Sequence, residues 1–253
     1  MSDNTAEPDD TAPEEEAFAD IAVLRAARQR VLVPPEGLAR CHVVLAGCGA
    51  VGRQTLLQLA AMGVPSIAVF DHDAVSVENL APQGWREADL GRPKVEAAAE
   101  EAKAINPRLR IDAFHEKFSA RAASAGRAGF DLVAIGAGDS MTLRKQMAAW
   151  AFGESSPVKL LLDARVGGEL AQVHFLPRGA SASRRRYERD YLFSAAEATP
   201  APCGAKMTIY MANLAAAFLC RALSAWLRQA SVPAVADMSI GTSEFDVLWE
   251  DSP

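Results

Sequence analysis

Three glycines with the spacing G-x-G-x-x-G are the first residues whose arrangement suggests chemistry. Gly47, Gly49 and Gly52 stand between a strand predicted at 42–46 and a helix predicted at 51–62. Glycines at these positions let the main chain approach a phosphate closely, and the start of the helix offers free N–H groups and a positive dipole end. The turn therefore predicts a phosphate-binding site.

An acidic residue follows the glycine turn at the distance typical of nucleotide-binding sheets. Asp71 ends the strand predicted at 66–70, about 20 residues beyond the turn. A carboxylate there would lie against the ribose of a bound nucleotide. The pair predicts a nucleotide site without distinguishing NAD from ATP. A glycine turn with no ligand is the alternative that the spacing leaves open.

A lysine at the start of a later helix favours a triphosphate over a dinucleotide. Lys94 follows Gly91-Arg92-Pro93 and opens the helix predicted at 94–105. A dehydrogenase needs no lysine there, whereas a cation at this place can hold a polyanion. The alternative is that Lys94 is an ordinary solvated surface residue.

The elements that must position these residues alternate between strand and helix through the first 150 residues. This alternation predicts an α/β fold, a doubly wound, Rossmann-like and mostly parallel sheet with helices on both faces. Strands predicted at 158–163 and 169–176 face one another, and a last alternating strand is predicted at 238–249. We therefore expect an antiparallel C-terminal extension, preceded by a helix predicted at 206–229.

The charge of the chain is concentrated at its N-terminus. The formal net charge is −6, and eight acidic residues fall within residues 1–20, which contain no base. Residues 1–18 are predicted to be a disordered acidic tail, because they lack the apolar side chains that would repay their ordering entropy. Residues 19–253 are predicted to form one folded domain. Its nearly neutral charge argues against a nucleic-acid binder that works by bulk charge.

Residues 177–205 interrupt the alternation of strands and helices. Their prolines, Gly179 and several serines predict a long crossover loop within the domain. The run Arg184–Arg186 with Arg189 gives this loop a basic patch. The patch would guide an acidic partner, or it is simply a solvated segment.

Hydrophobicity and cysteine spacing indicate the cellular compartment and whether a structural zinc site is expected. The longest apolar stretch, Met207 to Leu219, is interrupted by polar residues and is shorter than the ~20 residues of a membrane span. The chain opens with no basic and apolar leader, so we expect a cytoplasmic protein with no membrane partner. The four cysteines form no C-x-x-C pair, so we expect no structural zinc.

The chain resembles the ThiF/MoeB family of ubiquitin-activating-type adenylyltransferases in the runs GCGAVG, VFDHDAVSVENLAPQ and GRPKVEAAAEEAKAINP. The runs RAARQRVL, DLVAIGAGDS and LLDARVGGELAQVHFL are similar to further parts of the family domain, so that the resemblance covers most of residues 24–249. It implies a homodimer that uses ATP and Mg²⁺ to adenylate the C-terminal carboxylate of a ubiquitin-like or sulfur-carrier protein.

The resemblance also implies roles for residues that match the family pattern. The implied ATP site consists of Gly47, Gly49 and Gly52 at the phosphate turn, Asp71 at the ribose, and Asp73, Asn79, Gln83, Arg86 and Lys94 towards the phosphates. Asp139 would hold Mg²⁺; it is also a candidate N-cap of the helix predicted at 141–151, and one residue can fill both roles. Arg28, on a helix predicted at 19–30, would reach into the ATP site of the partner subunit.

The chain departs from the family pattern at one position of the ATP site. Pro82 stands where the family often has an arginine. Arg86 is a candidate replacement, or the triphosphate is bound differently. The chain also lacks the paired C-x-x-C zinc site of many relatives.

Cys203 is the candidate nucleophile. It lies at the end of the predicted crossover loop, three residues before Lys206, and a nearby cation and helix N-terminus would favour its thiolate. The resemblance places the catalytic cysteine, where a relative has one, in this region. The alternative is an unreactive loop thiol.

Together these residues predict ATP-dependent adenylation, with Lys94, Arg28 and Mg²⁺ neutralising the polyphosphate and a thioester on Cys203 as a possible second step. Three alternatives stay open at this point. The activated carboxylate could belong to a peptide or be linked to tRNA. The chain could be a non-catalytic subunit that supports an active partner. An NAD-dependent oxidoreductase fits less well, because Lys94 would have no role.

Overall fold

The computed structural model describes residues 21, 24–125, 129–193, 207–242 and 244–248. Eight strands form one sheet in the spatial order β3-β2-β1-β4-β5-β6-β7-β8. In chain order the strands are β1 (Cys41–Ala46), β2 (Ser66–Phe70), β3 (Arg110–Phe114), β4 (Asp131–Gly136), β5 (Val158–Gly167), β6 (Leu170–Pro177), β7 (Val235–Ser239) and β8 (Glu244–Leu248). The acidic tail predicted at 1–18 lies outside the described residues.

Strands β1 to β5 are parallel, and β6 to β8 continue the sheet in antiparallel pairs. This confirms the predicted mostly parallel sheet and its antiparallel extension. The strand order reverses at β1, which has β2 on one side and β4 on the other. A crevice forms at such a reversal, outside the carboxyl ends of the two central strands, and ligands bind there in open α/β sheets.

Helices cover both faces of the sheet, as the alternating sequence pattern predicts. In chain order they are α1 (Pro35–Leu38), α2 (Ala50–Met62), α3 (Leu80–Gln83), α4 (Lys94–Ile105), α5 (Ala120–Ser124), α6 (Met141–Phe152), α7 (Ser181–Arg186) and α8 (Ile209–Leu227). Helices α2, α4 and α8 pack on one face, whereas α5 and α6 pack on the other. Both faces of the central strands are therefore buried, which explains why β1 is apolar nearly throughout.

Helix α8 is the one helix in the described part of the chain that is long and apolar enough, by length and composition, to cross a membrane. Its side chains Met211, Ala215, Leu219 and Leu223 recur at a spacing of four residues and are buried. They pack against α2, β5 and β6. The apolar composition of α8 is thus that of a core helix.

The predicted crossover loop at 177–205 is helical over residues 181–191 of its described part. Helix α7 is followed by a π-helical turn, Tyr187–Tyr191, in a stretch dominated by serines and charged residues. Two interactions stabilise this segment. The Tyr187 side chain is buried, and Arg184 forms an ion pair with Glu188, four residues further along the helix. The predicted basic patch is largely paired, because Arg186 and Arg189 both contact Asp190.

Two other predicted elements differ from the structure. The strand predicted at 238–249 is a hairpin of β7 and β8, because the chain turns at Gly241-Thr242 and the Thr242 hydroxyl donates to the Ser239 hydroxyl at 2.8 Å. The helix predicted at 19–30 is described as helical at residues 24–26 and continues as turns to residue 32. Pro34 and Pro35 follow, and a proline disfavours helical conformation in the residue before it.

Candidate active site

The glycine turn lies between the ends of β1 and β4, inside the crevice at the strand reversal. Gly47 has φ +97°, and a Cβ atom there would lie 2.6 Å from the main-chain N of Gly138, which follows β4. A Cβ atom on Gly52 would lie 1.9 Å from the carbonyl oxygen of Gly47. Larger residues are excluded at both positions because a side chain would collide with the main chain, so only glycine lets the turn pack against the loop after β4 and the first turn of α2.

Asp71 supports this turn from the end of β2. Its carboxylate accepts hydrogen bonds from the main-chain N–H of Cys48 at 2.6 Å and of Asp73 at 2.9 Å. One side chain thereby fixes two loops of the crevice. The structure places Asp71 directly after β2 and beside the turn, and its contact with a ribose stays a prediction.

Lys94 is not a solvated surface residue, because its side chain is almost completely buried at the start of α4. Its Nζ lies 3.0 Å from Oδ2 of Asp73, and its main-chain N–H donates to the carbonyl oxygen of Asp73. Asp73 is half exposed. The structure thus brings the ammonium group to the DHD run, Asp71-His-Asp73, beside the glycine turn, and its contact with phosphate stays a prediction.

Asn79 and Gln83 lie on the segment that runs from the DHD run towards α4. Asn79 Oδ1 accepts from the main-chain N–H of Ser76 at 3.4 Å and so caps a short 3₁₀ turn, Val77–Asn79. Gln83 ends α3, and its Nε2 lies 3.9 Å from the place a Cβ atom would take on Gly49. The Gln83 amide therefore faces the glycine turn.

The Arg86 side chain forms an ion pair with Asp89 instead of extending along the glycine turn. It donates through Nε and Nη2 to both oxygens of Asp89, which is buried and also accepts from Arg92. The hydrogen bonds from Arg86 hold the pKa of Asp89 below its usual value. Arg86 thereby shapes the loop before Lys94, and its contact with phosphate stays a prediction.

Arg53 is the arginine that lies beside Gln83, and the sequence analysis did not identify it. It comes directly after Gly52 in the first turn of α2, its side chain is buried, and its Nη1 donates to the carbonyl oxygen of Gln83 at 3.2 Å. One sequence feature could have identified Arg53: it is an arginine in the first turn of a helix whose other first-turn residues are small or apolar. A long cation at such a position must either reach solvent or find a buried partner.

Asp139 follows β4 and is exposed. It is not the N-cap of α6, because that position is occupied by Ser140. Its carbonyl oxygen accepts from Arg144 Nη1 at 3.1 Å, which leaves the carboxylate available to a cation. A second group of possible oxygen and nitrogen ligands exists at Asp71, His72 and Asp73, whose donor atoms lie within 4.8 Å of one another.

A buried charge cluster lies next to Asp139 and was also missed by the sequence analysis. Asp163, on β5, accepts from Arg144 Nε at 3.2 Å and from Arg165 Nε at 3.0 Å. The Tyr187 hydroxyl donates to the same carboxylate at 2.9 Å. Because Arg144 also holds the Asp139 carbonyl, the cluster fixes the loop that carries the candidate metal ligand.

A groove continues from this cluster across the antiparallel strands. Arg165, Gln172, Asp237 and Asp246 are successive cross-strand partners on β5 to β8, and they line a cavity of about 570 Å³. Gln172 Nε2 donates to Asp237 Oδ1 at 2.7 Å. Arg165 Nη2 is buried and has no acceptor in the described part of the chain. A buried donor without a partner is costly, so this edge of the groove suits a ligand oxygen.

Two predicted site residues are not brought to this crevice by the described structure. Arg28 is exposed on the N-terminal turns. Cys203 lies outside the described residues, as does Lys206. The structure neither supports nor opposes their roles.

The candidate site consists of a glycine turn, a buried lysine and an adjoining groove, and it lies at the strand reversal of a doubly wound sheet. The sequence matches the model of the ThiF family over residues 26–248. The chain belongs to the ThiF family. This confirms the resemblance drawn from the glycine turn and the GRPK run.

Curated relatives of this ThiF-family chain match it in part. A molybdopterin-synthase adenylyltransferase of Salmonella typhimurium is 31% identical over 147 residues, which are 56% of this chain and 59% of the relative. The adenylyltransferase and sulfurtransferase MOCS3 of Arabidopsis thaliana is 37% identical over 114 residues, which are 42% of this chain and 24% of the relative. The chain spans less than two thirds of the length of either relative.

Solved structures share the fold of this ThiF-family chain. The E. coli MccB structure with AMPCPP and MccA superposes with a TM-score of 0.68 and 18% identity, covering 90% of this chain and 72% of MccB. PaaA superposes with a TM-score of 0.63 and 16% identity, covering 97% of this chain and 84% of PaaA. At these identities the similarity shows a common fold.

Proposed function

We propose that this ThiF-family chain uses ATP and Mg²⁺ to adenylate the C-terminal carboxylate of a ubiquitin-like or sulfur-carrier protein. The observation that carries the proposal is the buried Lys94 ammonium group beside the glycine turn. A cation held there suits the larger charge of a triphosphate, and a dinucleotide oxidoreductase does not need one. The named activity of the curated relatives, adenylyl transfer, supports the same reaction.

The reaction needs positioning and charge neutralisation more than covalent assistance. A carboxylate oxygen of the substrate attacks the α-phosphorus of ATP, the bond from that phosphorus to the bridging oxygen breaks, and pyrophosphate leaves with the electron pair. The product is an acyl-adenylate. Lys94 would stabilise the leaving pyrophosphate, and the N–H groups at the start of α2 would hold the phosphates between Gly47 and Gly52.

Asp139 fits the proposed magnesium site. Mg²⁺ binds through one or two carboxylates together with substrate phosphates, and Asp139 offers an exposed carboxylate on a loop fixed by Arg144. Magnesium held there would supply charge neutralisation on the polyphosphate.

The groove on β5 to β8 is the proposed path of the substrate's C-terminal segment. It begins at Arg165, next to the cluster that fixes the Asp139 loop. The Nη2 of Arg165 has no acceptor among the described residues, which supports a carbonyl or carboxylate oxygen of the substrate at this end. An extended segment in the groove would thus carry its terminal carboxylate towards the nucleotide.

A homodimer in which Arg28 completes the partner's ATP site is part of the proposal. The N-terminal segment that carries Arg28 exposes large apolar side chains, with Leu24 at 72%, Val31 at 81% and Leu32 at 60%. Apolar side chains grouped on one surface segment favour a protein–protein contact. A second copy of the chain that covers them would bring Arg28 across the interface.

Thioester formation on Cys203 is proposed as the following step. The Cys203 thiolate would attack the acyl carbon and release AMP. The three described cysteines are unsuited to this step, because burial raises the pKa of Cys41 and of Cys220 to about 12 and also raises the pKa of Cys48. In Cys203→Ala, pyrophosphate exchange should persist while any DTT-sensitive carrier adduct disappears. A DTT-sensitive adduct in Cys203→Ala would refute the step.

ATP–pyrophosphate exchange tests the proposed reaction directly. Exchange should require a purified carrier protein with a free C-terminal carboxylate and should stop when that carboxylate is amidated. Lys94→Ala should abolish it, whereas Lys103→Ala, an exposed lysine on the same helix, should not. Exchange that persists in Lys94→Ala would overturn the role of this lysine. No exchange by the wild type with any carrier would favour a non-catalytic subunit.

A further inference from the structure

A buried tryptophan beside the ATP site is not used by the proposed reaction. Trp85 is 5% exposed, and its indole Nε1 donates to Gln83 Oε1 at 2.8 Å. An indole N–H is a donor only, so the atom that it contacts must be the amide oxygen of Gln83. The amide nitrogen is thereby turned the other way, and it lies 3.9 Å from the Cβ position of Gly49. Trp85 thus fixes which end of the amide faces the glycine turn.

Arg53 holds both members of this pair. Its Nη1 donates to the main-chain oxygen of Gln83 at 3.2 Å, and its guanidinium group lies 4.8 Å from the centre of the Trp85 ring. Its Nη2 donates to Glu101 at 2.5 Å. Glu101 lies on α4, two helical turns beyond Lys94. Arg53 therefore ties the glycine-turn helix, the Gln83 segment and the Lys94 helix together.

The charge of Arg53 does not explain its place in the site. Glu101 neutralises it, and the side chain is 6% exposed. What the cation supplies is a fixed position for its neighbours: one hydrogen bond to the main chain of Gln83 and one stacked contact with Trp85. Gln54 adds a second hydrogen bond to the same carbonyl oxygen at 3.2 Å.

We propose that Trp85 and Arg53 are positioning residues that keep the N–H donors of the Gln83 amide aimed across the glycine turn at the polyphosphate of ATP. The inference rests on the proposed function, because it needs a triphosphate at the turn. In this arrangement a neutral amide of fixed orientation binds a phosphate oxygen. An amide free to flip would have to be fixed in this orientation when ATP binds, which would weaken binding, because its oxygen repels a phosphate.

The substitution Trp85→Phe separates orientation from packing, because it keeps an aromatic ring under Arg53 and removes the indole N–H. Isothermal titration without carrier should show Kd for ATP raised about tenfold, the loss typical of one hydrogen bond to a charged group. Kd for adenosine, which lacks the phosphates, should not change. In a Gln83→Ala background, Trp85→Phe should have no further effect on Kd for ATP.

Two further variants keep the inference falsifiable if Trp85→Phe does not fold. Gln83→Glu retains an oxygen for Trp85 and loses the N–H donors, so it should weaken ATP at least as strongly and leave adenosine unchanged. Arg53→Lys keeps a cation for Glu101 but cannot donate to two partners in a fork, so it should weaken ATP by less than Trp85→Phe.

The outcomes separate this inference from the proposed function. ATP binding by the wild type that Trp85→Phe leaves unchanged would overturn the inference alone. Equal weakening of ATP and adenosine, or an undiminished effect of Trp85→Phe in Gln83→Ala, would also overturn it, because either result indicates a general loss of structure. A wild type that binds no ATP would overturn both.

Discussion

Lys94 and Asp73 are joined twice, once by their side chains at 3.0 Å and once by the main chain, where the N–H of Lys94 donates to the carbonyl oxygen of Asp73. The two ends differ in environment, since the Lys94 side chain is 6% exposed and the Asp73 side chain is 54% exposed. The carboxylate therefore acts as a solvent-facing anchor for a buried cation. The contribution of the Asp73 carboxylate to activity can therefore be measured in a variant that keeps the charge of Lys94.

Asp73→Asn should have opposite effects on ATP binding and on turnover. Binding of ATP without Mg²⁺ should tighten, because one negative charge near the polyphosphate is removed. Carrier-dependent pyrophosphate exchange should slow about tenfold, because Lys94 loses the partner that orients it. Titration calorimetry and the exchange assay measure the two effects. Unchanged exchange would show that Asp73 does not position Lys94.

Mixing two inactive variants tests whether Arg28 works across a subunit interface. Arg28→Ala and Lys94→Ala should each lack exchange activity as homodimers. After mixing and subunit exchange, a heterodimer has one site with an intact Lys94 and an intact partner Arg28, so about a quarter of the wild-type activity should return. Mixing without any gain in activity would place Arg28 outside the partner's site.

The charge cluster at Asp163 should dominate the stability of this end of the sheet. Asp163→Asn leaves Arg144 and Arg165 buried without their counter-charge, so the free energy of unfolding should fall by about 3–5 kcal/mol. The matched control is Asp131→Asn, whose partner Arg40 is 69% exposed and whose loss should cost about 1 kcal/mol or less. Urea denaturation measures both. Similar costs for the two substitutions would contradict the prediction.

His174 predicts a specific acid sensitivity. Burial, reinforced by Arg165 and Arg144, lowers the pKa of His174 to about 2, so the native state keeps it neutral while the unfolded chain binds a proton below pH ~6.5. Stability is therefore unaffected by this group above pH ~6.5 and falls at about 1.4 kcal/mol per pH unit below it.

His174→Phe should remove this part of the pH dependence. The difference in unfolding free energy between wild type and variant should change by about 1.2 kcal/mol from pH 6 to pH 5. At pH 8 both states of His174 are neutral, so the same comparison there measures the packing change with Tyr187 and Tyr191. Parallel pH curves for the two proteins would disprove the assignment.

The carboxylates that face each other in the groove should make the sheet less stable than it could be. Asp237 and Asp246 are direct cross-strand partners, and like charges in that relationship are unfavourable. Asp246→Asn should raise the free energy of unfolding by about 0.2–1 kcal/mol at low salt, with a smaller gain at 1 M NaCl. Denaturation at the two salt concentrations measures this. A loss of stability at low salt would show that the repulsion is already compensated.

The sequence predicted the elements around the glycine turn well because their signals are local. The glycine spacing, the apolar run of β1 and Pro93 before Lys94 each act within a few residues, and the structure has β2 and α4 at their predicted bounds. The positioning residues were missed because their partners are distant in the chain. Arg53 meets Gln83 and Glu101, 30 and 48 residues away, and nothing in the local pattern encodes those contacts.

The same reasoning explains the errors in the C-terminal half. Helix α7 carries no apolar periodicity, and what orders the segment is the packing of Tyr187 on Asp163, a contact made only in the folded chain. The hairpin of β7 and β8 reads as one alternating strand because a tight turn changes the direction of the chain without interrupting the alternation. The length of the alternating run did not reveal the turn within it.

The outermost strands of the described sheet, β3 and β8, determine how two molecules can meet. An unpaired strand edge can recruit a strand from another molecule, and charged residues on the edge oppose this. The edge strands include Arg110 and Asp112 on one side and Asp246 on the other. These charges leave the exposed apolar turns at the N-terminus as the contact surface of the proposed homodimer. A contact between the turns of two copies would close as a dimer, whereas edge-to-edge pairing would propagate into a filament.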